Sequence, residues 1–265
     1  MSDQPQSWHY GLVARWWAEF NTADPDELAF YQKIIETNGG PALDLACGAG
    51  RLLLPLLRAG LDVDGADISP DMLNQCRRLA EREGLTPTLL QGAMHDVPLP
   101  RTYGTIFICD SFNIGGDRGH DLATLRRCHQ HLAPGGVLVF NAYVSYNPDE
   151  WAFWLPERRQ ALPEPWPDTD LRKRAADGDE IALSSRVIEL DPLTQRHTKQ
   201  IRIRLWRGDN LIQEEEGILA ANLYFPQELL LMLDVAGFAG VEVRGDYSDQ
   251  PAGPDDMMLV YIARK

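Results

Sequence analysis

Positive charge is scarce in this chain of 265 residues. Its 25 Lys and Arg stand against 39 Asp and Glu, a net charge of −14. Such a surface repels phosphate backbones, so nucleic acid is not an expected substrate. Long apolar runs are missing too. None approaches the roughly 20 residues that span a bilayer, so no membrane segment is expected. The opening stretch, MSDQPQSWHY, has no basic segment followed by an apolar one. No signal peptide is expected, and the location is read as cytoplasmic. Cysteine is limited to Cys47, Cys76, Cys109 and Cys128, none of them in a C-x-x-C pair. Free, mostly buried thiols are expected, with Cys47 and Cys109 at strand ends and Cys76 and Cys128 within helices. The histidines have no metal-binding spacing, and no metal is expected. With 44% hydrophobic residues the chain can still bury a sizeable core. Its length suits one large domain, or one domain carrying an insertion.

The most informative stretch is Pro41 to Arg51, PALDLACGAGR. Ala42 to Leu45 read as a short buried strand. Ala46 to Gly50 are small residues only, and Leu52 to Leu57 open an apolar helix that ends near Gly60. Strand, tight turn and helix make the first half of a βαβ unit. Small residues let a ligand touch the backbone, and the helix start offers free N–H groups to a negative group. A second apolar run, Leu61 to Ala66, ends in Asp67. A carboxylate there can accept hydrogen bonds from both hydroxyls of a ribose. A dinucleotide fingerprint would have a third small residue where this chain has Leu53.

These residues resemble a known family. Asp44-Leu45-Ala46-Cys47-Gly48-Ala49-Gly50 and Gly65 to Leu73 look like motifs of the class I S-adenosylmethionine (SAM) methyltransferases. The likeness continues through Gln91 to Met94, Phe107 to Asn113 and Leu132 to Gly136. It implies a Rossmann-like, doubly wound α/β fold with a mostly parallel seven-stranded sheet, an EC 2.1.1.- activity, SAM as methyl donor and S-adenosylhomocysteine as product. It also implies cofactor contacts at Tyr10, Asp44, Ala46, Gly48, Asp67, Ile68, Ala93, Met94 and Asp110. The chain departs from the family at Ala46, where a glycine is usual, and at Ala93, where an Asp usually meets the adenine amino group. Asp96 is a candidate substitute. Tyr10 and Ala14 resemble a lid segment, in which Tyr10 would bond the methionine carboxylate and Trp16 and Trp17 would wall the pocket.

Along the chain, helices are expected from Leu12 to Phe20 and from Asp24 to Asn38. Ser69 and Pro70 start another, and Pro87 leads into a strand from Thr88 to Gln91. Thr105 to Cys109 is the fourth strand. Asp110, Ser111, Phe112 and Asn113 follow it into the crevice. A helix over His120 to Leu132 precedes a tight turn, Pro134-Gly135-Gly136, and a fifth strand, Val137 to Phe140. Asn141, Ala142 and Tyr143 emerge at its end. Asp110, Asn113 and Tyr143 are the expected catalytic residues, with Asp110 and His95 the candidates should a base be needed.

After Tyr143 the alternation stops. Trp151, Trp154 and Trp166 sit among prolines, and then period-2 patterning at Ile181, Leu183 and Val187 and at Ile201, Ile203 and Leu205 argues for strands. Turns at Asp191 to Thr194 and Gly208 to Asn210 make an antiparallel meander to Tyr224. Arg202, Arg204 and Arg207 are expected to pair with Glu214 to Glu216. A last helix runs from Pro226 to Gly237, without the usual Ser or Thr cap at Phe225, and two strands close the chain at Val241 to Val243 and Met258 to Ile262. Three regions are therefore expected: 1–143, a SAM-binding core with a helical lid; 144–224, the inserted meander; and 225–265, the rest of the core. Such inserts resemble those of glycine N-methyltransferase and of the sugar N,N-dimethyltransferases, and in the latter they help enclose the substrate or form a dimer. The expected function is methyl transfer to O or N of a small metabolite, with the inserted sheet a candidate homodimer contact. Two alternatives are a non-catalytic SAM-binding or partner-binding protein and, disfavoured by Leu53, a nicotinamide-dependent oxidoreductase.

Overall fold

The fold is described from a computed structural model in which residues 9–143, 152 and 154–265 are placed. The expected Trp151 lies outside the described residues. Two helices come first, α1 (Gly11–Phe20) and α2 (Pro25–Asn38). Asp24 caps α2: its side chain accepts from the Asp26 N–H, and Glu27 accepts in return from the Asp24 N–H, which satisfies free donors at the helix start. Then come β1 (Ala42–Leu45), α3 (Leu53–Arg58), β2 (Val63–Asp67), α4 (Pro70–Glu83), β3 (Leu89–Gln91), β4 (Tyr103–Ile108), α5 (Arg118–His131) and β5 (Leu132–Tyr143). Ser69 caps α4 as expected, accepting from the Met72 N–H at 3.2 Å.

The strands order as β3-β2-β1-β4-β5, then β11 (Met258–Arg264) and β10 (Gly240–Gly245). All pair in parallel except β11, which runs antiparallel to both its neighbours. This is the expected seven-stranded, mostly parallel sheet. β1, β2 and β4 are buried at every position, as strands covered by helices on both faces must be. Helix α7 (Pro226–Ala236) lies beside α5 and adds Leu229 and Leu233 to the core. It lacks a capping hydroxyl, but Glu228 accepts from the Phe225 N–H at 2.7 Å.

One boundary differs. The sequence predicts Pro134-Gly135-Gly136 as a turn before the fifth strand; β5 instead starts at Leu132, directly after α5. Leu132 pairs with Tyr103 of β4, and an irregularity before the Thr105–Val137 pair absorbs the extra residues.

The insertion forms a second sheet, β6 (Lys173–Arg174), β7 (Glu180–Asp191), β8 (Arg196–Arg207) and β9 (Asn210–Asn222), antiparallel and in chain order, preceded by the short α6 (Pro156–Gln160). Its outer face carries Arg202–Glu216 and Arg204–Glu214 pairs, as expected. Arg207 departs from expectation. It sits beside the hairpin turn, past the reach of the Glu214–Glu216 run, and pairs with Asp179 instead. Glu215 points to the other face and accepts from the Leu12 N–H at the start of α1. Asp71 of α4 accepts from the neighbouring Gly11 N–H at 2.8 Å. Helix α1 is thus held by one carboxylate from the core and one from the insertion, both placed where its dipole favours negative charge. Leu12 and Val13 pack with Ile181, Ile203 and Leu205 of the inserted sheet. All four cysteines are buried and free. No helix among the described residues is long and apolar enough to cross a membrane.

Candidate active site

A cavity of about 760 Å³ opens at the carboxyl ends of β1, β2 and β4. That is where ligands bind in open α/β sheets. Its floor is the loop from Ala46 to Ala49. Ala46 and Cys47 both donate to the Ala66 carbonyl, which folds the loop over the end of β2. Ala46 has φ +73°, a left-handed conformation that costs a side-chain-bearing residue energy, and glycines at 48 and 50 share it. A Cβ at Gly50 would lie 2.7 Å from the Cys76 sulfur, so only glycine fits there. Leu53 is fully buried against β2, and Gly65 makes the room: a Cβ there would meet Leu53 at 2.6 Å. The close helix–strand approach is therefore achieved from the strand side.

Asp67 is 8% exposed and its two oxygens are already aimed. One accepts from the Gly48 N–H and the other from the Ser69 N–H, each at 2.8 Å. Burial raises its pKa and the two N–H groups oppose that rise. The carboxylate is fixed between the small-residue loop and α4, with lone pairs left for two ribose hydroxyls. Ile68, 48% exposed, stands beside it, and Met94, Ala93 and Gly92 line the same end, giving apolar walls for a flat base. Asp96 does not line the cavity; His95 does, its ring stacked on His120 with centroids 3.8 Å apart. Asp44 lies at the cavity floor, and burial pushes its pKa up to about 8.

Opposite the base end sits a charge cluster that sequence reasoning missed. Arg51 reaches back to Glu27 of the second helix in a bidentate ion pair, and its guanidinium also contacts the Cys109 sulfur at 3.1 Å and Asp110 at 3.3 Å. Glu27, Cys109 and Asp110 bring atoms able to bind a metal within 4.8 Å of one another. Arg51 already meets that charge. The signal available in sequence was an Arg closing the small-residue loop, but its partner lies 24 positions upstream.

Asp110 follows β4 with φ +54°. Its N–H donates to the Asn141 side chain at 2.8 Å, and the Asn141 amide donates back to its carboxylate at 2.6 Å. A second cavity, about 170 Å³, begins on its far side, lined by Phe112, Asn113, Asn141, Ala142, Tyr143, His197 and Tyr224 among others. Asp110 lines both cavities and stands at their junction.

Of the expected cofactor residues, Asp44, Ala46, Gly48, Asp67, Ile68, Ala93, Met94 and Asp110 converge on the larger cavity. Tyr10 does not. It stands at the N-cap of α1, near Asp67 and Asp71, and the preceding His9 lines the cavity. Trp17 lines the cavity, whereas Trp16 packs toward the inserted sheet. Asn113 and Tyr143 line the smaller cavity. The donor set suits SAM: a buried carboxylate for the ribose, apolar walls for the adenine and an open backbone loop for the methionine part.

Comparison with known proteins bears on this geometry. Residues 42–136 match a family described as a methyltransferase domain. A protein of Geobacillus sp. (strain WCH70) named as a methyltransferase is 23% identical over 265 residues, covering 97% of this chain and 99% of that one. Among solved structures, a S-adenosylmethionine-dependent methyltransferase from Clostridium acetobutylicum is similar with a TM-score of 0.71, at 18% identity over 92% of each chain. The sugar N-methyltransferase KedS8 from Streptoalloteichus is similar with a TM-score of 0.69, at 18% identity, over 100% of this chain and 96% of that one. Sheet order, matched domain and solved structures agree: residues 42–136 carry a methyltransferase domain, on a fold shared with S-adenosylmethionine-dependent methyltransferases.

Proposed function

We propose that this methyltransferase acts on nitrogen of a small, polar metabolite bearing an amine, of the size of an amino sugar. One observation carries the reading: the second cavity adjoins the cofactor cavity at Asp110 and is closed by the inserted sheet, so an acceptor there is small and enclosed. The similarity to a sugar N-methyltransferase extends through that insertion and supports it. SAM supplies an activated methyl, so the chain's work is positioning and exclusion of water. In this reading Asp67 holds the ribose, Ile68, Ala93 and Met94 the adenine, and the loop at Ala46 to Gly48 the methionine part. Asp110, fixed by Asn141 and Arg51, attracts a cationic amine to the junction. No macromolecular acceptor fits a chamber of this size, and the acidic chain disfavours nucleic acid. Cytoplasmic location goes with four unpaired thiols. A homodimer through the inserted sheet goes with the half-exposed Leu211 and Ile212 on its edge strand.

Methyl transfer from labelled SAM to a panel of amino sugars and their hydroxyl counterparts tests the reading. Transfer to the amines alone is expected. Transfer only to the hydroxyl series, or to neither, would refute it.

A further inference from the structure

The smaller cavity holds six polar side chains, and four are already spoken for. Asn113 donates to the Asn222 carbonyl at 2.8 Å. Asn141 and Asp110 bond each other, and the Tyr224 hydroxyl donates to Asp121 at 2.7 Å. Tyr143 stands at the rim, 62% exposed. His197 is different. It comes from the inserted sheet, is half-buried, and its ring makes no hydrogen bond or ion pair among the described residues.

Backbone register explains how a residue of β8 reaches the end of β4. His197 pairs with Ala221 of β9, and Ala221 bridges to Ile114 in the loop after β4. The Asn222 N–H and the Gly115 N–H add bonds across the same seam, at 2.9 and 2.8 Å. The inserted sheet is stitched to the loop after β4 there, and His197 is carried to the cavity one strand away. A half-buried polar ring left without a partner costs free energy, and such a ring facing a cavity is a ready place for a ligand.

We propose that His197 is an acceptor-binding residue, its imidazole accepting a hydrogen bond from an N–H of the methyl-accepting amine and aiming the nitrogen lone pair past Asp110 into the cofactor cavity. The inference rests on the methyltransferase reading above. Burial, and then the charge of Lys199, push the His197 pKa down to about 4. The ring is therefore neutral near pH 7 and keeps a lone pair to offer, with Asp110, Tyr143 and Tyr224 the other titratable groups around the cavity and Asp121 behind Tyr224. A ring this weakly basic does not suit deprotonation of a sugar hydroxyl, which matches an amine better. An engineered pocket of about 150 Å³ holds a benzene ring, so this one, at about 170 Å³, has room for the amine-bearing edge of a sugar. A cationic amine gives up one proton to water as it enters the enclosed cavity, which frees its lone pair; the N–C bond then forms as the C–S bond breaks, sulfur keeps that electron pair as a thioether, and the methylated ammonium leaves to re-equilibrate its proton with water.

Two measurements test this on the full chain saturated with S-adenosylhomocysteine. In the first, imidazole NMR signals are followed while glucosamine, and separately glucose, is added. The His197 signals are expected to shift with glucosamine and to stay near their starting positions with glucose. Signals unmoved by glucosamine, or moved equally by both, overturn the proposal. In the second, His197→Phe keeps the ring's shape without its lone pair, and His197→Gln returns an acceptor atom. The Phe variant is expected to lose 10-fold or more in kcat/KM for glucosamine, mainly through KM, and Gln to recover part of that. Both should keep SAM affinity within twofold. A Phe variant as active as the parent, or Phe and Gln variants equally impaired, overturns the role. Failure of the parent protein to bind S-adenosylhomocysteine at all would instead sink the underlying methyltransferase reading.

Discussion

Ala46 is the one place in the cofactor loop where the chain holds an energetically costly residue. Its φ of +73° lies in the left-handed region, where the Cβ crowds the following carbonyl. That costs an Ala about 1–2 kcal/mol. Ala46→Gly removes the crowding. Glycine gains more freedom in the unfolded chain, which offsets about 0.4–1 kcal/mol. The hydrogen bond from the residue 46 N–H to Ala66, at 2.7 Å, is kept. The net expectation is a gain of about 0.5–1 kcal/mol, and a melting temperature about 1–4 °C higher for a chain this long. Ala46 also lines the cofactor cavity, so the variant gives the ligand more room. Calorimetric melting without ligand and urea titration should agree. A variant that melts lower, or shows no change by either method, would refute the strain at this position.

Two further predictions concern helix α1 and the cavity floor. Glu215→Ala removes an acceptor from the Leu12 N–H and should cost about 1 kcal/mol, with faster amide exchange confined to the first turn of α1; unchanged exchange there would contradict the clasp. Asp44 has a folded pKa near 8 against an ordinary 3.8. The folded state thus holds a proton that the unfolded state has lost, and this contribution is complete below about pH 4 and disappears as pH rises through 8. His9, whose pKa falls to about 4, acts in the opposite sense, with stability lost as pH drops through that value. The Asp44 effect is therefore read as a difference: relative to the parent, Asp44→Asn should gain stability between pH 5 and 8, by at most about 1.4 kcal/mol per unit. A constant difference across that range would show that Asp44 is ionised in the fold.

Much of this architecture was legible because it is local. The strand, small-residue turn and helix at 42–58 follow from a contiguous pattern, and so do the Ser69 and Asp24 caps. The meander was legible from period-2 alternation. What escaped depends on long-range placement. Arg51 finds Glu27 on a helix whose position no local pattern sets. Arg207 turns to Asp179 because the hairpin register carries it past the glutamates. That His9 lines the larger cavity, beside a Tyr10 expected to meet the methionine carboxylate, depends on how the chain enters α1, where Gly11 has φ +58° and two carboxylates hold the first N–H groups. His197 reaches the second cavity only through a seam between residues more than a hundred positions apart. No spacing rule could have paired it with Asp110.

The most direct measurement is calorimetric titration of SAM into the parent protein and into Asp67→Ala. Asp67 is the buried carboxylate lining the crevice, its two oxygens held in place by the Gly48 and Ser69 N–H groups. Losing a charged hydrogen-bond partner for two hydroxyls should cost about 1.5–3 kcal/mol, or roughly 10- to 150-fold in Kd. Saturable binding by the parent and that weakening in the variant are expected. Equal affinity in the two proteins would contradict the placement of the ribose.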